Sequence, residues 1–93
     1  GTNLETYLRK NQICHLVLAG LTLPHCVSTT TRMAANLGFE VTLLADATAS
    51  FTLANKNGQV ISPDTIHEIN LLSLQDEFAQ ILTTEEFLTQ VQV

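Results

Sequence analysis

The run Ile13-Cys14-His15-Leu16-Val17-Leu18-Ala19-Gly20-Leu21-Thr22-Leu23-Pro24-His25-Cys26-Val27 decides how the rest of the chain is read. Ile13 to Ala19 is an apolar run interrupted only by His15, and it ends at Gly20. A run buried on both faces is what a central parallel strand needs. Leu21 to His25, which contains Pro24, reads as a connecting loop. A helix follows from about Val27 to Leu37, and Gly38 stands where a helix ends in the left-handed conformation. Cys26 therefore falls at the start of that helix.

Working outward, Thr2 to Asn11 reads as a short helix. Thr2 and Glu5 have capping-box spacing, and Leu4, Tyr7 and Leu8 share one face. Phe39 to Ala45 is a second apolar strand ending at Asp46. Ala47 to Ile61 has turn chemistry at Asn57-Gly58 and no long periodic stretch, so it is an excursion or loop. Ser62-Pro63-Asp64 is a strong helix start, with Ser as N-cap, Pro in the first turn and an acid beside it. That helix should carry Ile66, Ile69, Leu72 and, further on, Phe78 inward. Gln80 to Leu82 is a brief strand, and Thr83 with Glu86 makes a second capping box for a last helix holding Phe87 and Leu88. The alternation predicts an α/β fold in a single domain, with parallel strands joined by right-handed crossovers.

Composition narrows the function. Of 93 residues, 45% are hydrophobic and 14% charged, enough for a packed core and too apolar for a disordered chain. So low a charge fraction suggests that some surface is covered. The net charge is −5 and the four basic residues, Arg9, Lys10, Arg32 and Lys56, are scattered. No phosphate-neutralising patch can be built from them, which argues against nucleic-acid binding. No apolar run approaches the length of a membrane span, so no membrane partner is expected. Cys14 and Cys26 do not form a CxxC pair or a disulfide framework, and reduced thiols in a cytoplasmic protein are the simplest reading.

In open α/β sheets ligands bind beyond the carboxyl ends of the strands, which is where Gly20 to Cys26 lies. The dipole and unpaired N–H groups of a helix start favour a thiolate. The same N–H groups can hold the oxyanion of a tetrahedral intermediate. From the residues alone, a nucleophilic Cys26 and a structural one both stay open, since Cys is a common buried residue.

The wider pattern is more specific. His15-Leu-Val-Leu-Ala-Gly20, then Cys26-Val27-Ser28-Thr29-Thr30, Ala34-Ala35-Asn36-Leu37-Gly38-Phe39 and Leu44-Ala45-Asp46-Ala47 resemble the isochorismatase-like hydrolases. Gly1 to Glu5 is similar to the segment before that strand in the family. Thr65-Ile66-His67, Glu77-Phe78-Ala79 and Thr83-Thr84-Glu85 resemble the C-terminal part of a branch of simple cysteine hydrolases. The resemblance implies a Rossmann-type three-layer sheet with flanking helices, of which residues 1–93 would be the C-terminal half of a single hydrolase domain. It implies Cys26 as the nucleophile, a non-proline cis peptide at Leu21-Thr22, and the backbone N–H groups of Thr22 and Cys26 as the oxyanion hole. Leu23 and His25 would face a small-molecule substrate of amide type. Leu23 departs from the family, where a small polar residue is frequent.

The family's triad is Asp, Lys and Cys, and the Asp and Lys precede the position matching Gly1. Lys10 does not match the family Lys. Hydrolysis by these residues alone is therefore expected to be slow or absent. The first strand's open edge is expected to self-associate or to pair with the missing N-terminal half. No cofactor and no metal are assigned: Cys14, His15, Cys26 and His67 lack ligand spacing, and the metal-binding residues of the family's nicotinamidase branch lie in the other half. His15 reads as a packed or interfacial residue, His67 as a structural hydrogen-bonding group, and Asp46 as a turn cap, or as an anchor for the loop or a helix N-terminus. A non-catalytic remnant serving as an interaction module, and redox chemistry at Cys26, are the competing readings.

Overall fold

A computed structural model describes residues 2–92. Its elements are α1 (Leu4–Lys10), β1 (His15–Leu21), a π-helical turn (Leu23–Val27) running directly into α2 (Ser28–Asn36), β2 (Glu40–Ala49), the short pair β3 (Leu53–Ala54) and β4 (Val60–Ile61), α3 (Pro63–Leu74), β5 (Gln80–Leu82) and α4 (Thr84–Val91). The main sheet has the order β1-β2-β5 and is parallel throughout. β2 runs past Asp46 to Ala49, which corrects the expected strand end at Asp46 and the loop expected from Ala47, and β3 and β4 form a separate antiparallel pair within residues 50–61.

The strand at the centre is β2, not β1. Its residues Val41, Thr42, Leu43 and Leu44 are all buried, as a strand paired on both sides and covered on both faces requires. In β1 the side chains alternate between half-buried and exposed, and Val17 and Leu21 are 41% and 61% exposed. This corrects the expectation that β1 is buried on both faces. Among the described residues only one strand pairs with it, and Leu16 and Leu18 on one face pack on the core while His15, Val17, Ala19 and Leu21 point the other way.

The core gathers Leu8 of α1, Leu23 and Val27 of the turn, Ala34 of α2, Phe39, Val41 and Leu43 around β2, and Leu74 and Ala79 around the end of α3. Leu23, Leu43 and Leu74 are fully buried, as are Thr31 and Thr42. The two threonines are not left without partners. Thr31 Oγ1 donates to the Val27 carbonyl at 2.7 Å, and Thr42 Oγ1 lies 2.9 Å from His15 Nε2. Among the described residues no buried side-chain nitrogen or oxygen lacks a hydrogen-bond partner, so burial carries no desolvation penalty of the kind an orphaned group would impose.

Local signals were of unequal value. Ser62 caps α3 by accepting the Thr65 N–H at 3.2 Å, with Pro63 in the first turn. Thr83 and Glu86 form the complete reciprocal capping box of α4. The box expected from Thr2 and Glu5 does not form. Asn3 is the N-cap of α1, Thr2 Oγ1 accepts from Leu4 N, and the Glu5 carboxylate instead pairs with Arg9 at 3.0 Å. Leu4 and Tyr7 are exposed, and only Leu8 of that face enters the core. In α3 the inward stripe runs through Ile66, Leu71 and Leu74, whereas Ile69 and Leu72 are exposed. Apolar residues occur on both sides of this helix, so spacing alone could not select its buried face. Phe78 packs on the core from the turn after α3 rather than from the helix itself.

No described helix is long and apolar enough to cross a membrane.

Leu43 is fully buried at the centre of the middle strand. Leu43→Ala is expected to lower unfolding stability by about 2–5 kcal/mol, measured by urea denaturation. A cost no larger than that of an exposed leucine such as Leu72→Ala would contradict this core assignment.

Candidate active site

The carboxyl end of β1 delivers the chain into a turn whose hydrogen bonding differs from an ordinary helix start. The Leu21–Thr22 peptide bond is cis, as the resemblance implies. Thr22 then acts as the N-cap of the π-helical turn in extended conformation. In an α-helical start the N-cap carbonyl would accept the N–H four residues on, that of Cys26. Here the Thr22 carbonyl accepts instead from His25 at 3.1 Å and from Val27 at 3.3 Å. The wider turn thus leaves the Cys26 N–H out of the bond that an α-helix would impose on it. Single π turns of this kind occur often at functional sites.

The turn is fixed from beneath. Leu23 and Val27 insert into the core, and Leu23 has no exposed surface. Leu23, expected to face substrate, is therefore placed as the apolar anchor of the turn, and it lines neither cleft beside Cys26. Thr31, one turn further on, ties α2 back to the Val27 carbonyl. Arg32 spans Ser28 Oγ at 3.2 Å and the Phe78 ring, whose centroid is 4.9 Å from its guanidinium carbon. These contacts make the turn a rigid mount, which a positioned nucleophile needs.

Cys26 is exposed, with a free thiol. It lines two adjoining open clefts. One, of ≈ 180 Å³, is bounded by Leu18, Ala19, Gly20, Leu21, Val27 and Thr30. The other is bounded by Pro24, His25, Thr29 and Thr30. Thr30 borders both and was not singled out from the sequence. Its position four residues after Cys26, on the same helical face, was the available signal. His25 is exposed beside Cys26, and its Nδ1 is 2.8 Å from Thr22 Oγ1. The expected site residues Thr22, His25 and Cys26 are therefore together, with Leu23 directly below.

Other candidate residues lie apart from this group. Cys14 is also free and exposed, but it precedes β1 whereas Cys26 follows it. Seven strand residues put the two on the order of 20 Å apart, well beyond disulfide reach. Lys10 sits at the end of α1 by the amino end of β1, the far end from Cys26. His15, exposed at the start of β1, bonds across to Thr42 rather than packing in the core. His67 Nε2 is 2.9 Å from the Ala45 carbonyl and its Nδ1 3.1 Å from Ser50 Oγ, the structural linkage expected of it.

The remaining feature near the site is an irregularity in β2. From Leu18↔Leu43 to Gly20↔Thr48, β1 advances two residues while β2 advances five. Four residues of β2, 44–47, thus stand against the single Ala19 of β1, a bulge with three residues in excess. Thr48 Oγ1 closes it from within by donating toward the Leu44 and Ala45 carbonyls at 3.2 and 3.1 Å. Asp46 projects from the bulge to the start of α4, where its Oδ1 accepts both Thr84 Oγ1 and Thr84 N at 2.8 Å. These two bonds, the hydroxyl's first, hold its carboxyl below its ordinary value of 3.8. Asp46 thus anchors a helix N-terminus, the second of its two expected roles.

Comparison with known proteins agrees with this geometry. The family model for the isochorismatase domain matches residues 1–86. An uncharacterised isochorismatase family protein of Bacillus subtilis is 53% identical over 88 residues, covering 95% of this chain and 47% of that protein. The crystal structure of a cysteine hydrolase from Pseudomonas syringae superposes with a TM-score of 0.90 at 26% identity, covering 97% of this chain and 42% of that one. A nicotinamidase from Bacillus subtilis superposes with a TM-score of 0.68 at 38% identity, covering 87% of this chain and 39% of that one. The chain spans about half the length of the curated relative it matches.

The Asp46 interaction carries a pH signature. Folding lowers the Asp46 pKa, so its stabilising contribution is complete above the unfolded value and is lost as pH falls through the lower folded value. Asp46→Asn keeps an acceptor for Thr84 but removes the charge. Thermal melts are expected to show the variant less stable than the parent at neutral pH, with the gap closing below about pH 4. A gap that stays constant down to pH 2 would contradict the assignment.

Proposed function

This chain belongs to the isochorismatase family, and we propose that it carries the nucleophile and oxyanion-binding turn of a cysteine hydrolase acting on a small amide-type substrate. The observation that carries this reading is the setting of Cys26. An exposed thiol stands beyond the carboxyl end of a parallel strand, in a helix-initiating turn whose π geometry withholds the Thr22 carbonyl from the Cys26 N–H. Likeness to a named cysteine hydrolase supports the nucleophile, and likeness to a named nicotinamidase supports an amide substrate.

In this mechanism the Cys26 thiolate attacks the amide carbonyl carbon from the open cleft. The carbonyl oxygen takes up negative charge as the tetrahedral intermediate forms, and the N–H groups of Thr22 and Cys26 donate to it. The C–N bond then breaks, the nitrogen leaves with a proton, and a thioester to Cys26 remains. Water hydrolyses the thioester, releasing the acid and the thiol. His25, oriented by Thr22, and Thr30 line the cleft where the substrate's side group would lie. The proton taken from the thiol and returned to the leaving nitrogen is carried by an Asp supported by a Lys, as the family resemblance implies, from sequence upstream of Gly1. Residues 1–93 by themselves are therefore slow or inactive hydrolases. The same upstream half supplies the strand that pairs with the free edge of β1. The single partner of β1 among the described residues supports that pairing, and the exposed Val17 and Leu21 leave one face of the strand for the same half to cover.

Two outcomes test the proposal. In a protein joining this chain to its upstream coding sequence, assayed against a panel of small primary amides with ammonia release as readout, Cys26→Ala should lower turnover by at least about 10³-fold. Cys14→Ala should leave it unchanged, and retained turnover in Cys26→Ala would overturn the nucleophile assignment. Residues 1–93 expressed alone should show a mass above that of a monomer in solution scattering, because the β1 edge pairs with itself when its proper neighbour is absent. A monodisperse monomer would contradict the open-edge reading.

A further inference from the structure

His67 is the residue that the mechanism above leaves unused and that the structure binds most specifically. It lies on α3, a twelve-residue helix with a side-chain N-cap, beside the buried Ile66. Its ring bridges two points of one irregular segment. Nε2 is 2.9 Å from the Ala45 carbonyl, and Nδ1 is 3.1 Å from Ser50 Oγ. A carbonyl only accepts, so Nε2 carries a proton toward Ala45, while Nδ1 lies within hydrogen-bond reach of the Ser50 hydroxyl. One imidazole thus grips both ends of 45–50, the stretch that leaves the regular ladder at the bulge and rejoins it afterward.

What lies between those two grips is the reason it matters. Thr48 and Ala49 pair with Gly20 and Leu21, the last strand residues before the cis peptide and the Cys26 turn. The regular part of the ladder, His15 to Leu18 against Glu40 to Leu43, lies before the bulge and cannot transmit its register across three extra residues. The second stretch of pairing therefore needs its own support. Thr48 Oγ1 supplies some from inside the bulge and Asp46 ties it to α4 at one point, but among the described residues His67 alone bonds the segment at both its ends.

We propose that His67 is a positioning residue for the nucleophile turn: by holding Ala45 and Ser50 together it fixes the β2 segment against which Gly20 and Leu21 are paired. The consequence for catalysis rests on the reading of Cys26 as nucleophile, whereas the consequence for structure does not.

Hydrogen–deuterium exchange resolved by peptide, on the chain and on His67→Ala, His67→Gln and Ser50→Ala, tests the assignment without any substrate. In His67→Ala the amides of 20–22 and 45–50 should exchange at least about ten-fold faster, the effect of losing a half-buried hydrogen-bonding partner in a locally opening segment. Those of 15–18 and 40–43 should keep their rates. His67→Gln, whose amide can still donate to the Ala45 carbonyl, should recover most of the protection. Ser50→Ala should loosen the same region to a smaller degree, and it makes the comparison if His67→Ala fails to fold. Unchanged exchange at 20–22, or a uniform rise along the whole sheet, would overturn the assignment. With an amide that the parent hydrolyses, kcat should fall about ten-fold in His67→Ala at unchanged KM and return in His67→Gln. Equal loss in both variants would mark His67 as structural alone. Loss of activity in Cys26→Ala is a separate readout, so failure of the nucleophile reading and failure of this assignment are distinguishable.

Discussion

The parallel pairing of β1 with β2 is the constraint on which the remaining structure depends. Its regular half sets the core, because Leu16 and Leu18 of β1 face the same side as Val41 and Leu43 of β2. Its irregular half sets the site, because Gly20 and Leu21 are held by Thr48 and Ala49 just before the chain turns into Cys26. The bulge between the halves lets one strand serve both purposes. It lies just past the buried run Val41 to Leu44, and it turns Asp46 outward to the head of α4.

Apolar burial and polar satisfaction do most of the holding. Full burial of a leucine is worth about 1.5–3 kcal/mol, and Leu23, Leu43 and Leu74 are all fully buried in one cluster. Against that, the exposed Arg9–Glu5 pair is an (i, i+4) contact of a kind worth about 0.3–0.5 kcal/mol. Arg9 contributes more through the Leu37 carbonyl, 2.7 Å away, and the Phe39 ring, whose centroid lies 4.9 Å from it. These contacts fasten α1 to the α2–β2 connection. Leu23 links stability to the site most directly, since the side chain that anchors the core also fixes the floor of the turn that carries Cys26.

Much of this was legible in the residues. Ser62-Pro63-Asp64 and Thr83 with Glu86 gave two helix starts correctly because their partners are local. Gln80 to Leu82 was legible as a strand for a similar reason, bounded on one side by the Thr83 cap. Cys26 at a strand-to-helix turn was legible from the order of elements. The misreadings have a common cause. Thr2 and Glu5 had the right spacing, but Arg9 offered Glu5 a charged partner one helical turn away. Ile69 and Leu72 had helical spacing, but the sheet lay on the other side of the helix. The apolar run from Ile13 to Ala19 points to β1 as the central strand, where β2 in fact stands, because such a run records burial without recording which neighbours provide it. The β2 bulge and the π turn were invisible for a related reason, since both depend on hydrogen bonds between segments distant in sequence or on which of several nearby donors one carbonyl accepts.

The central claim is that Cys26 forms the covalent bond to substrate. Rapid acid quench of the protein joined to its upstream sequence, during turnover of a small amide, followed by peptide mass analysis, tests it most directly. The account predicts an acyl adduct of the substrate's acid portion on the peptide containing Cys26, absent from the peptide containing Cys14. Turnover with no adduct on Cys26, or with an adduct on another residue, would contradict it.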